Sequence, residues 1–164
     1  MTPIEFKNKY YPFALLVEKS DNVPALFSIA QSALETGWGD TIVGNMMFGV
    51  KSNNPNDERQ LITTTEYHDR PDVKYPAVIA VTEIIKGKRW KYKVKDWFRK
   101  YPSPEESFRD HARFLKANKR YANAFNFSTA PALFAKEVCK AGYATAPNYY
   151  DSIVSIMQRI AKLP

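Results

Sequence analysis

The apolar residues of this chain change their spacing twice, and that change constrains the fold more than any other feature of the sequence. Through the first forty residues, and again from Ser103 onward, they recur at helical intervals; between Gln60 and Lys100 the chain is instead rich in β-branched and aromatic residues. Leu61 to Tyr67, Ala77 to Ile85 and Arg89 to Phe98 read as strands. Turn signals separate them at Asp69-Arg70-Pro71-Asp72 and Lys86-Gly87-Lys88. A small antiparallel sheet with at least one hairpin is therefore expected inside a helical chain. The sequence shows no repeat, low-complexity tract or linker, and 164 residues suffice for a core without staples. The expectation is one predominantly helical α+β domain over residues 1–164, with a β-lobe at about 60–100.

Helix punctuation fills in the rest. Thr2 as cap, Pro3 at the first position and Glu5 completing a capping box read as a helix start at the N-terminus, where the basic and apolar runs of a signal peptide are lacking. Pro12 and Pro24 are expected to divide the first forty residues into three successive helices. Ser103-Pro104-Glu105-Glu106 is another capping box, followed by Phe108, His111, Ala112 and Leu115 at helical spacing. A further helix is expected from about Pro131 to Ala141, ending at Gly142. The last starts near Pro147 and buries Tyr149, Ile153, Ile156 and Ile160.

One carboxylate stands out. Leu26, Ile29, Ala30, Ala33 and Leu34 form a buried stripe, and at about 100° per residue Glu35 points away from it, in the last turn before Gly37. The negative end of the helix dipole favours its protonated form, as would an apolar wall supplied by Trp38. A carboxyl kept protonated near neutral pH is what a general acid requires, although a solvated glutamate at a helix end is the ordinary reading of such a position.

Composition narrows the chemistry. The formal charge of +7 points to an anionic partner without saying whether it is nucleic acid, membrane surface or wall polymer. Two histidines (His68, His111) and one cysteine do not make a zinc site of the usual kind, and Cys139 reads as a small buried side chain. No segment is long and apolar enough to span a bilayer. Lys86 to Lys100 holds eight basic residues against one acid, Asp96, with Lys91, Lys93 and Lys95 on one strand face and Trp90, Tyr92 and Val94 on the other. That pattern suits single-stranded nucleic acid, a solvated face that deters edge pairing, or attraction to an anionic wall.

Five blocks in order carry a resemblance over roughly residue 24 to the C-terminus: Ala33-Leu34-Glu35-Thr36-Gly37-Trp38-Gly39; Asn45-Met46-Met47-Phe48-Gly49-Val50-Lys51; Thr63-Thr64-Thr65-Glu66-Tyr67; Lys119-Arg120-Tyr121-Ala122; and Ala141-Gly142-Tyr143-Ala144-Thr145 before Pro147. The chain resembles glycoside hydrolase family 73, the bacterial endo-β-N-acetylglucosaminidases that cut peptidoglycan. The resemblance implies a lysozyme-like fold and hydrolysis, with neither metal nor cofactor, of the β-1,4 bond between N-acetylglucosamine and N-acetylmuramic acid. It implies Glu35 as the acid, Glu66 as a second carboxylate on the β-lobe, and Tyr121 as a tyrosine facing the acid. Glu83 competes with Glu66, ahead of Glu58, Asp69 and Asp72. Trp38, Phe48 and Tyr67 are sugar-stacking candidates that suit a core equally well. Tyr143 and Tyr149 are expected to bind substrate and could fill a role similar to that of Tyr121, and Asn45 and Gly49 shape a turn or touch substrate. The family commonly has an acid where this chain has Ala146. The expected partner is the glycan strand, met by a monomer in the periplasm or outside the cell, without nucleic acid or membrane insertion. The rival readings are a muramidase or lytic transglycosylase on the same fold, and a non-catalytic basic module binding wall or nucleic acid.

Overall fold

Helix α1 (Pro3–Asp21) begins at the expected capping box: the Thr2 N–H donates to the Glu5 carboxylate (2.8 Å) and the Glu5 N–H to the Thr2 hydroxyl (3.3 Å). It ends at Asn22, in the left-handed conformation, and buries Phe6, Tyr10, Ala14 and Val17 on one face. Pro12 does not divide it. That residue and Asn8, whose carbonyl would have been its partner, are both exposed, so the helical bond that proline cannot make is lost on the solvent side of α1. The first forty residues thus hold two helices rather than three.

The computed structural model describes residues 1–144 and 147–164. The chain forms two compact units: Met1–Phe48 with Tyr101–Pro164, and Gly49–Lys100. In the first unit α1 is joined by α2 (Ala25–Thr36), α3 (Pro104–Ala117), a 3-10 segment (Lys119–Phe127), α4 (Pro131–Lys140) and α5 (Tyr149–Ala161). Helix α2 is buried on nearly every side, from Ala25, Phe27 and Ile29 to Ala33, and packs against α1, α4 and α5. It is the axis of this unit. At α3 the Ser103 hydroxyl accepts from the Glu106 N–H (3.2 Å), while the Glu106 carboxylate lies toward Arg109 and Arg113. In α5 Ile153, Met157 and Ile160 are fully packed, whereas Tyr149 and Ile156 are half-buried, as is Cys139 in α4. The 3-10 segment, unassigned from sequence, takes its cap from the Asn118 side chain and buries Tyr121 and Ala124.

Where the chain leaves and re-enters this unit it is pinned. The Tyr101 N–H donates to the Gly44 carbonyl (3.0 Å), and the Asn45 side-chain amide donates to the Tyr101 carbonyl (3.0 Å).

The second unit is a three-stranded antiparallel sheet, β1 (Arg59–His68), β2 (Ala77–Ile85) and β3 (Arg89–Arg99), in the order β1-β3-β2. Strand β3 is central. The unit begins at Gly49, earlier than the β-lobe expected from sequence, because Lys51 bridges to Phe98 and the Ser52 N–H donates to the Trp97 carbonyl (2.9 Å). Glu66 pairs with Tyr92, Thr64 with Val94 and Ile62 with Asp96, which places these residues on one face. Tyr92 and Val94 are buried there, and the Tyr92 hydroxyl donates to the Arg70 carbonyl (2.9 Å).

Candidate active site

Glu35 occupies the last turn of α2, and the backbone beyond it explains the Gly-Trp-Gly block. Gly37, Trp38 and Gly39 all have positive φ (56°, 59° and 88°), a run that glycine tolerates and tryptophan rarely adopts. The Trp38 N–H reaches back to the Ala33 carbonyl (2.8 Å), closing the helix, and the Gly39 N–H donates to the Thr36 hydroxyl (3.0 Å). This tight reversal leaves the Glu35 side chain at the surface while its neighbours on α2 are buried.

The Glu35 carboxylate accepts one hydrogen bond, from the Tyr149 hydroxyl at the start of α5 (3.0 Å). That hydroxyl in turn accepts from the side-chain amide of Gln31 (3.0 Å). Because Gln31 supplies the donor, the tyrosine proton is directed at Glu35. Gln31 is fully buried, one turn before Glu35 on α2, and its side-chain oxygen has no hydrogen-bond partner among the described residues. Among the described residues no cation pairs with Glu35. Its carboxyl reaches solvent but is flanked mostly by protein. That desolvation is the main influence on its pKa and raises it; the bond from Tyr149 opposes the rise by less. Burial and the nearby Glu35 charge also push the Tyr149 phenol far above its usual range, so it stays protonated.

Behind Tyr149 lies a ladder of rings. Tyr149 and Tyr143 are stacked with centroids 6.0 Å apart, and Tyr143 lies 6.0 Å from Tyr121. The Tyr143 hydroxyl is 3.1 Å from His111 Nε2, and the His111 ring stacks flat on Phe48 at 3.8 Å. Burial pushes the His111 pKa down to about 3, so the imidazole is neutral at physiological pH. Tyr121, expected beside the acid, is 1% exposed and stands two rings behind it. Its hydroxyl is buried without a hydrogen bond of ordinary geometry, although the Arg120 guanidinium lies 4.6 Å over the ring, close enough to act on it electrostatically. The phenol bonded to Glu35 is Tyr149, because α5 packs on α2. Phe48, clamped by His111 and Phe108, is 1% exposed and offers no face to a sugar. Trp38 is half-buried, its ring edge-on to Phe6 and covered by the Arg159 guanidinium at 5.1 Å. Asn45, at φ 54°, is committed to the turn it shapes.

The sheet unit holds a different carboxylate. Glu66 is paired with Lys51 (2.8 Å), and the same ammonium reaches Asp96 (3.0 Å). Desolvation works against the charge on Lys51, but the two carboxylates outweigh it and raise its pKa. The competitor Glu83 is exposed and caps its own hairpin at Gly87. Tyr67 is adjacent to Glu66 in sequence and therefore on the opposite face of the sheet, half-exposed, with Arg89 over its ring at 5.7 Å. A sugar stacked on Tyr67 would be on the wrong side of β1 for Glu66. Ala146 lies outside the described residues. Among the described residues no cluster of His, Cys, Asp and Glu is suited to a metal. An apolar depression of about 250 Å³, lined by Leu26, Pro131, Met157 and others, lies at the far end of α2 and holds no titratable group.

Sequence reasoning missed Gln31 and His111 as site residues. Gln31 carried a signal, since position i−4 shares a helix face with Glu35. His111 read as one member of an apolar stripe, which it is.

Comparison with known proteins gives one consistent picture. The Glucosaminidase family, described as mannosyl-glycoprotein endo-beta-N-acetylglucosaminidase, matches residues 11–162. Peptidoglycan hydrolase FlgJ of Vibrio parahaemolyticus is 31% identical over 99% of the chain, and that of Pseudomonas aeruginosa 32% over 95%. Exo-glucosaminidase LytG of Bacillus subtilis is 30% identical over 88%. The chain spans 49%, 36% and 46% of these three relatives. A C-terminally truncated glycoside hydrolase domain of Salmonella typhimurium FlgJ superimposes with a TM-score of 0.73 at 29% identity, covering 99% of this chain and all of that one. The fold is the lysozyme-like one of these hydrolase domains.

Proposed function

The chain belongs to the Glucosaminidase family of glycoside hydrolases, and from that premise we propose that it hydrolyses peptidoglycan at the β-1,4 bond following N-acetylglucosamine. The observation that carries this reading is Glu35. Its carboxyl is desolvated, free of any cation among the described residues, and held by a phenol whose proton is already directed at it. Such a group keeps its proton to higher pH than an ordinary carboxyl and is placed to deliver it to the departing glycosidic oxygen. Glu66 differs in its partner: the Lys51 ammonium holds it in an ion pair, and it is assigned the role of the second carboxylate. Tyr149, backed by Gln31, orients the Glu35 carboxyl. The whole chain is taken to act as one glucosaminidase domain, on the wall outside the cytoplasm, as a monomer.

Digestion of purified sacculi followed by mass spectrometry of the soluble fragments tests this. The expected new reducing end is N-acetylglucosamine. A reducing or anhydro-muramic end would instead assign the chain to a muramidase or a lytic transglycosylase.

A further inference from the structure

The strands of the sheet unit are sorted by charge. Their three carboxylates, Glu66, Glu83 and Asp96, pair across the sheet with Tyr92, Trp90 and Ile62, and so share one face. Their cations, Arg59, Arg89, Lys91, Lys93, Lys95 and Arg99, all belong to the other. There Lys91, Lys93 and Lys95 stand in file on β3, between Tyr67, Thr65 and Thr63 of β1 and Thr82, Ala80 and Ala77 of β2. All three lysines are exposed, and among the described residues none is paired with a carboxylate, whereas Lys51, beside the opposite face, has two.

Guarding an edge does not account for this file. Lysines protect sheets from edge-to-edge pairing when they sit on edge strands. Here they sit on the central strand, whose backbone is paired on both sides, while the edge strand β2 has no lysine and is broken by register shifts near Ile79 and Ile84. Alternate residues on a strand are about 6.7 Å apart, within one Debye length of roughly 8 Å at physiological salt, so the fields of neighbouring lysines add. Like charges so placed weaken the sheet, and nothing within the unit offsets them.

The chemistry of the face selects among anionic partners. The rings at its ends, Tyr67 and Trp97, already have Arg89 (5.7 Å) and Arg59 (4.1 Å) over them, which a stacked base would have to displace. Exposed Val78 and Val81 pair with Val94 and Tyr92 and so lie on the carboxylate face; on the lysine face Leu61, paired with Trp97, and Ile85, paired with Arg89, stand at opposite ends of the file and make no continuous apolar anchor for a bilayer. What remains is a row of hydrated point charges flanked by small side chains, suited to several spaced carboxylates on one polymer.

We propose that the Lys91-Lys93-Lys95 face docks the carboxylate-bearing peptide stems of peptidoglycan, holding the enzyme to the wall on the face of the sheet opposite Glu66. The inference rests on the reading of the chain as a peptidoglycan hydrolase.

The test is co-sedimentation of the whole chain with insoluble sacculi. Lys91→Gln/Lys93→Gln/Lys95→Gln is compared with Lys9→Gln/Lys19→Gln/Lys136→Gln, which removes the same charge from exposed positions of the helical unit. At about 50 mM salt the first variant should bind at least about tenfold more weakly than wild type, and the second within about twofold; at about 0.5 M salt all three should converge. Amidating the wall carboxylates should abolish the difference, while cleavage of a short neutral oligosaccharide stays unchanged in the first variant. Equal losses in the two variants, binding insensitive to amidation, or a preference for a single-stranded oligonucleotide or anionic vesicles over sacculi would overturn the proposal. Wild type that binds through these lysines yet leaves sacculi uncut would support the docking and refute the hydrolase reading.

Discussion

Two carboxylates, one in each unit, are held in opposite ways. Glu35 has a single phenol for a partner and is surrounded mostly by protein, so its proton is favoured. Glu66 has an ammonium, Lys51, that it shares with Asp96. The contrast is one of neighbours, since the residue type is the same. In the helical unit the neighbours come from apolar helices packed side by side; in the sheet unit they come from the period-2 alternation that collects Glu66, Asp96 and Tyr92 on one face. Glycoside hydrolysis ordinarily uses two carboxyls in different environments.

Replacing each carboxyl by its amide probes that contrast most severely. Glu35→Gln should lower wall hydrolysis by about three orders of magnitude or more, the upper part of the range for a general acid, and Glu66→Gln by about two. The two should also part in stability. A pKa raised in the native state means that Glu35 favours folding below its unfolded pKa and loses that advantage as pH rises through the folded value. At pH 7 Glu35→Gln should therefore melt no lower than wild type. Glu66→Gln, which removes the negative charge paired with Lys51, should melt lower. Calorimetry of both variants would break the comparison if the order were reversed.

The supporting shells come next. Lys51→Met should cost about tenfold in hydrolysis and destabilise the chain, because Glu66 and Asp96 would face each other uncompensated. Tyr149→Phe removes the donor that lowers the Glu35 pKa, so the basic limb of the kcat/KM profile should move to higher pH, with a loss of about three- to tenfold. Tyr121→Phe should leave that limb in place, since its hydroxyl is buried two rings away. A shifted limb in Tyr121→Phe and an unshifted one in Tyr149→Phe would reverse their assignments.

The smallest effect concerns His111. Between its native value of about 3 and its ordinary value of 6.5, the unfolded chain binds a proton that the native chain refuses. Stability from this group is present above 6.5 and is lost as pH falls toward 3, by up to about 1.4 kcal/mol per pH unit. Urea unfolding at pH 7 and pH 5 should show a drop that is shallower in His111→Gln, with little change in hydrolysis by folded protein.

Local periodicity made much of this legible beforehand. The Glu35 helix, its stop at Gly37, the capping box at Thr2 and the strand faces of Lys91 to Lys95 all follow from interactions a few residues apart. What was not legible depends on which elements meet. Tyr149 and Glu35 are 114 residues apart, and only the packing of α5 on α2 selects that phenol over Tyr121. Likewise β3 is central because β1 pairs with it across an intervening strand, something no hairpin signal between β2 and β3 announces. Pro12 misled because it falls on the exposed face of α1, where a lost helical hydrogen bond costs least. The separation of Tyr67 from Glu66 was available from alternation alone, but the motif that holds both drew attention to their adjacency instead.

The pinned crossing of the chain at Gly44, Asn45 and Tyr101 bears on how such a molecule can be rebuilt. The helical unit closes over its own excursion with two hydrogen bonds that involve nothing between residues 49 and 100. Because the cost of closing a loop grows only with the logarithm of its length, what is threaded between these anchors can vary widely in size at little expense to the frame. The crossing is thus a natural splice junction: sheets with other face charges can be transplanted there without redesigning the helices that hold Glu35.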